Sequence, residues 1–196
     1  LYISFFSILF SLIIGFIIAL MGTSKKSYIR LINRIYVEII RSIPLLVLLL
    51  WVYYGLPIVF GISLTPFIAG IISLSISDSS FEAEIFRAGI ESVPKGQVEA
   101  SKSLGLNSWQ RMRLITFPQA LRFVLPPIGN QFVYIVKMSS LVSIVGLADL
   151  TRKANELVVN VYRPLEIYSF LVLEYLLLIL IISFFVRLLE KKLKKY

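Results

Sequence analysis

From Leu1 to Gly22 the chain carries no ionised side chain, and this run stops at the basic cluster Lys25, Lys26, Arg30 and Arg34. That is enough for one helical crossing, since about 20 apolar residues span roughly 30 Å of hydrocarbon. A second uncharged run, Ile43 to Ser77, would be about 50 Å long as one helix and must fold back. Gly55, Pro57, Gly61 and Pro66 supply the breakers. The pattern therefore predicts spans near 1–22, 44–60 and 66–87. A fourth runs over 123–145, interrupted by Lys137, and a fifth over 167–188, interrupted by Glu174. Between the third and fourth, residues 91–122 mix charges with Val98, Leu104, Leu106, Trp109, Met112 and Leu114. This loop reads as two short amphipathic helices, with Pro94 at a start, Gly105 at a stop, Asn107 or Ser108 as a cap and Pro118 as a boundary. The expected fold is a single all-α membrane domain of five transmembrane helices over 1–196.

Composition sharpens that picture. With 196 residues, 58% hydrophobic and 16% charged, and a mean hydropathy of +0.86, a soluble monomer is excluded, and little length is left for a catalytic domain. Absent cysteine and histidine, the chain has no disulfide, thiolate nucleophile, Cys/His zinc site or imidazole base. The formal charge of +9 is assigned to loops facing anionic lipid rather than to nucleic acid.

Its distribution sets the orientation. Thr23 to Ser42 holds five Lys and Arg, Arg87 to Arg122 six, and the tail from Arg187 five (Arg187, Lys191, Lys192, Lys194, Lys195), whereas the opposite side holds only Arg152, Lys153 and Arg163. The richer side is expected to be cytoplasmic, with the N-terminus outside and the C-terminus inside. Leu1–Gly22 has no charged n-region and reads as a span rather than a cleaved signal peptide; a chain opening at Leu1 is expected to lack its first residues. The outer segment 146–166 is expected to carry a short surface helix that receives a partner or gates a cavity.

The loop also carries a motif. Glu99-Ala100-Ser101, three residues, Gly105, then nine residues to Ile115-Thr116-Phe117-Pro118 resembles the EAA loop of membrane subunits of ATP-binding-cassette importers, departing from it at Ser101 and Phe117. Arg41-Ser42-Ile43-Pro44-Leu45-Leu46, Ala83-Glu84-Ile85-Phe86-Arg87-Ala88-Gly89, Pro94-Lys95-Gly96-Gln97 and Lys137-Met138-Ser139-Ser140-Leu141-Val142-Ser143 are similar to the permeases for polar amino acids. The resemblance covers nearly the whole chain. It implies a type I importer permease in a bacterial cytoplasmic membrane and a second permease copy, homodimeric or a close paralogue. It also implies two ATPase subunits seated on Glu99, Ala100, Ser101, Gly105 and Leu106, and an extracytoplasmic amino-acid-binding protein.

No phosphate-binding loop is present; Gly22-Thr23-Ser24-Lys25 only superficially resembles one. ATP and Mg are therefore expected on the partner ATPases and no cofactor on this chain, with work imported through the loop acting as a lever.

Ionisable groups inside a span cost roughly 2.5 to 3.5 kcal/mol each and face a partner, a cavity or a pathway. Asp78 and Glu82, four residues apart, share one helix face. Like charges so placed call for a cation, either Lys137 or the substrate. In the resembled family uncharged residues are common at these two positions, which points to a cationic amino acid such as arginine, lysine or histidine. Its α-carboxylate would be met around Ser139 and Ser140, where the polar run loosens the helix. The competing readings are an Asp78–Lys137 structural ion pair and a hydrogen bond from Glu82 to a neighbouring span. Glu84 and Arg87 are expected to pair near the cytoplasmic end, and Asn130 and Gln131 to bond between helices. The rival function is a self-sufficient ion-coupled carrier or channel; a structural or signalling protein with no solute path is a further one.

Overall fold

A computed structural model describes residues 1–193; Lys194 and Lys195 of the basic tail lie outside the described residues, as does the side chain of Lys192. Counting each unbroken helical run once, the described residues form eight helices and no strand. These are α1 Tyr2–Gly22, α2 Ser27–Ser42, α3 Leu45–Phe60, α4 Pro66–Glu91, α5 Lys95–Ser103, α6 Ser108–Val145, α7 Leu150–Val161 and α8 Pro164–Leu193. By length and composition α1, α6 and α8 can each cross a membrane, and α2 with α3 passes the same test as a pair bent by 95°. At 26 residues α4 is about 39 Å long, but its serines and carboxylates make it less apolar. The five expected spans fall on α1, α3, α4, α6 and α8.

The fold is organised around α4, which packs along α1 and against α6. Ser4, Ser7, Ser11, Gly15 and Ala19 recur every three or four residues on the buried face of α1, and Ser73, Ser79, Ser80 and Ala83 answer them on α4. Small side chains let two backbones approach closely, which matters where lipid removes the hydrophobic drive for association. Apolar clusters close the bundle at either end: Ile3, Leu49, Leu74, Val142 and Val145 at one, Ala19, Phe86 and Val124 at the other. The outward surface is apolar, including Phe5, Leu9, Ile13 and Ile17 on α1 and Val172, Leu176 and Leu180 on α8.

Two expectations are corrected. Thr23 to Ser42 is not a loop, because Ser27–Ser42 forms an amphipathic helix. Its polar groups return to the bundle: Asn33 Nδ2 donates to the Ile18 carbonyl at 2.8 Å, Tyr36 and Ser79 hydroxyls meet at 2.7 Å, and Arg41 donates to the Ser80 carbonyl at 3.1 Å. Nor does Pro118 bound a helix. The segment after Asn107, expected to be a separate short helix, runs unbroken into the fourth span as α6. A π turn at Met112–Thr116 precedes Pro118, and another at Trp51–Gly55 precedes Pro57. Proline lacks an N–H and its ring clashes with the carbonyl four residues back; the wider turn relieves both.

Candidate functional site

The α5–α6 elbow is built by capping. Pro94 opens α5 from an extended backbone. At its far end Gly105 N–H donates to the Lys102 carbonyl at 2.9 Å and Leu106 N–H to the Ser101 carbonyl at 3.1 Å, the paired closure of a Schellman motif. Gly105 has φ of +77°, and a Cβ there would meet nothing within 4 Å, so glycine serves the backbone rather than packing. A capping box follows at once: Asn107 Oδ1 accepts from the Gln110 N–H and Gln110 Oε1 from the Asn107 N–H, both at 2.9 Å. Arg111 Nη1 adds a bond to the Leu106 carbonyl at 3.0 Å, and the Gln119 amide donates to Gln97 Oε1, tying α5 to α6. The elbow is thus a fixed shape.

Its surface is selective. Glu99, Ala100 and Gly105 are exposed and Leu106 half-buried, whereas Ser101 is buried, its hydroxyl donating to the Val98 carbonyl at 2.6 Å. Two residues outside the motif stand out at the tip, Leu104 at 80% exposure and Trp109 at 71%. Both belong to the apolar residues interleaved with charges over 91–122, and the structure shows that these two are held clear of the loop.

The intramembrane groups separate into two places. Asp78 and Glu82 are buried, at 3% and 0% exposure. Asp78 Oδ2 accepts from the Ser11 hydroxyl at 2.9 Å, and Oδ1 accepts from the Gln131 amide of α6. Glu82 lies against Gly15 of α1, and neither carboxylate oxygen has a partner among the described residues. Lys137 is elsewhere. With Ser140 it lines a cavity of about 400 Å³ against Val172, Tyr175, Leu176 and Ile179 of α8, and no ion pair joins it to Asp78 among the described residues. The helix tightens to a 3-10 turn over Ser139–Val145; the Ser139 and Ser140 hydroxyls donate to the Val136 and Lys137 carbonyls at 2.8 and 2.7 Å. Beyond the hydrophobic zone Arg87 is bidentate on Glu84 and also binds Glu91.

On the far side α7 is capped by Asp149, whose side chain accepts from the Arg152 N–H at 2.8 Å. Hydrogen bonds from Lys153 and Arg152 hold the Glu156 carboxyl below its usual range. These residues border a cavity lined by Arg152, Asn155, Glu156, Val159 and Asn160.

Residues 11–195 match the family described as "Binding-protein-dependent transport system inner membrane component". The chain is 37% identical over 161 residues to the "Glutamine transport system permease protein GlnP" of Escherichia coli (strain K12), covering 82% of this chain and 74% of that one. It is 40% identical over 185 residues to the "Probable glutamine ABC transporter permease protein GlnM" of Bacillus subtilis (strain 168), covering 94% and 85%. A solved amino acid ABC transporter with histidines superposes at a TM-score of 0.88 with 39% identity, over 97% of this chain and 89% of the other. An inward-facing MetNI methionine transporter chain, 22% identical, shares the fold at a TM-score of 0.82 over 98% and 91%. The all-α architecture is that of type I ABC importer permeases, and the chain belongs to the family of binding-protein-dependent transport system inner membrane components.

Proposed function

We propose that this chain is the transmembrane subunit of an importer that carries polar amino acids into the cytoplasm by alternating access, driven by ATP hydrolysed on two partner subunits. The observation that carries the reading is the capped elbow holding Leu104 and Trp109 in solvent beside bare Gly105. An exposed apolar tip on a rigid frame is what a partner needs in order to push. The elbow lies at the inner end of α4 and α6, so its displacement would tilt both. Membership of a binding-protein-dependent family weighs against a self-sufficient carrier.

The finer assignments belong to the same proposal. The basic elbow side faces the cytoplasm, the N-terminus lies outside, a second permease copy covers part of the exposed apolar surface, and the extracytoplasmic binding protein approaches α7. The cargo's α-carboxylate pairs with Lys137 in the cavity beside Ser140, the charge complement an amino acid requires. Ser139 shapes the 3-10 turn behind it. A basic side chain is taken by Asp78 and Glu82 when α1 parts from α4, since both are sealed in this conformation. The glutamine names of two relatives and the histidines of a solved one keep the cargo class at polar amino acids. Proteoliposomes containing the permease, its ATPase and its binding protein should accumulate amino acid only with ATP; accumulation that follows an ion gradient without ATPase would overturn the reading.

A further inference from the structure

α2 presents three stripes. Asn33 and Val37 are buried in the bundle. Tyr28, Leu31, Ile32, Ile35 and Ile39 stand exposed. Between them Arg30, Arg34, Glu38 and Arg41 line, with Glu84, Arg87 and Glu91 of α4, a groove of about 660 Å³. Most of these seven charges are engaged. Arg87 takes up Glu84 and Glu91, and Arg41 is held by the Ser80 carbonyl and stands 4.7 Å from the Phe81 ring centre.

The end of the groove nearest the α1–α2 turn is different. Arg30 Nη1 is fixed by the Ser24 and Lys25 carbonyls, both at 2.9 Å, which orients its plane and leaves its other nitrogens free to donate. Arg34 makes no side-chain hydrogen bond or ion pair among the described residues. Lys25 and Lys26 precede α2 and are exposed, Lys26 Nζ standing 5.8 Å from the Tyr28 ring centre, and the first turn of α2 contains no acid. Two guanidinium groups therefore line this end, with Glu38 a turn away from Arg34. Leu31 both lines the groove and belongs to the exposed apolar stripe, so a charged seat and an apolar surface are continuous.

A basic seat joined to an apolar face on an interfacial helix is complementary to an anion that carries hydrocarbon. We propose that the groove between α2 and the inner end of α4 binds the phosphate diester of an anionic glycerophospholipid, with Arg30 and Arg34 as donors and the acyl chains along Leu31 and Ile35. Guanidinium groups suit this role because they present paired donors to phosphate oxygens. The site does not depend on which solute the protein carries.

The full chain, purified in mild detergent, would be titrated with phosphatidylglycerol and read by native mass spectrometry, with phosphatidylcholine as control. Wild-type protein should retain phosphatidylglycerol preferentially, and each of Arg30→Gln and Arg34→Gln should weaken retention about fivefold. Arg34→Lys should lose less, and Arg163→Gln at the opposite end should change nothing. Arg34 makes no side-chain hydrogen bond or ion pair among the described residues, so its variant tests the site even if Arg30→Gln unfolds the turn. Equal retention by Arg34→Gln, equal retention of phosphatidylcholine, or displacement of the lipid by millimolar inorganic phosphate or free amino acid would each overturn the proposal.

Discussion

Gly15 of α1 lies directly against Glu82 of α4: a Cβ at position 15 would stand 2.5 Å from the Glu82 Cβ and 3.0 Å from the Ser79 carbonyl. The two helices therefore meet backbone to backbone at the level of a carboxylate that has no partner among the described residues. Gly15→Val should force them apart, at a cost of about 1–3 kcal/mol for overpacking, seen as a lower unfolding temperature in detergent. Glu82→Leu, which replaces an unpartnered polar group by an apolar one of similar size, should leave stability unchanged or raised. A Gly15→Val protein as stable as wild type would show that α1 and α4 are not in close contact.

Asp78 is different because it is satisfied. Asp78→Ala strands the Gln131 amide, whereas the Ser11 hydroxyl keeps the Ile8 carbonyl at 3.0 Å; the expected loss is about 1–3 kcal/mol, and Asp78→Asn should be milder. In proteoliposomes the pair Asp78→Asn with Glu82→Gln should reduce arginine uptake about tenfold more than glutamine uptake, on the usual scale of a lost charge-assisted bond. Equal losses for both cargoes would remove these carboxylates from substrate selection.

At the cavity facing α8, Lys137→Met should raise the apparent KM for amino acids about tenfold or more, and Lys137→Arg should recover most of it. The check is uptake kinetics at saturating ATP. An unchanged KM in Lys137→Met would place the α-carboxylate elsewhere.

The elbow supplies a clean separation of folding from coupling. Trp109→Ala should leave permease yield and melting unaltered while reducing co-purification of the ATPase about tenfold, the scale of an exposed aromatic anchor. Gly105→Val strains a left-handed backbone by about 1 kcal/mol or more and should lower transport per ATP hydrolysed. Full coupling in both variants would contradict the lever.

A pH effect is expected at α7. The Glu156 carboxyl is depressed by hydrogen bonds from Lys153 and Arg152, so what it adds to helix stability is present above its ordinary value of 4.5 and is lost as pH falls through the lower folded value. The effect is small because the group is exposed. The protection of the Leu150–Val161 amides, taken relative to the intrinsic exchange rate at each pH, should fall on acidification in wild type and change less in Glu156→Gln.

Long apolar runs, uncharged across α1, α3 and the first half of α4 and broken only by Glu174 over 167–186 in α8, made these helices legible, since residues facing lipid need no polar spacing. α2 was not, because five basic residues between 25 and 41 concealed an apolar stripe whose information lies in its angular spacing rather than its average. Charge alone offers Lys137 or the substrate as the cation for Asp78, yet Gln131 is the α6 residue that reaches it. Positions 131 and 137 are about 120° apart around a helix, so only one of them can face α4. Charge complementarity suggests candidates, and helical phase chooses among them. The Glu84–Arg87 pair needed no such choice, being fixed by a three-residue spacing within one helix. The role of Ser101 inside the elbow was hidden because a motif gives order, not the direction in which each side chain points.

The π turn at Met112–Thr116 winds one more residue than regular helix would use, so everything after it is swung by about 100°. Deleting a single residue there would re-aim the rest of α6, Lys137 included, without altering any side chain that lines the cavity. Relatives could thereby diverge in what they recognise through a change in chain length near the elbow, an evolutionary route that comparison of cavity residues alone would overlook.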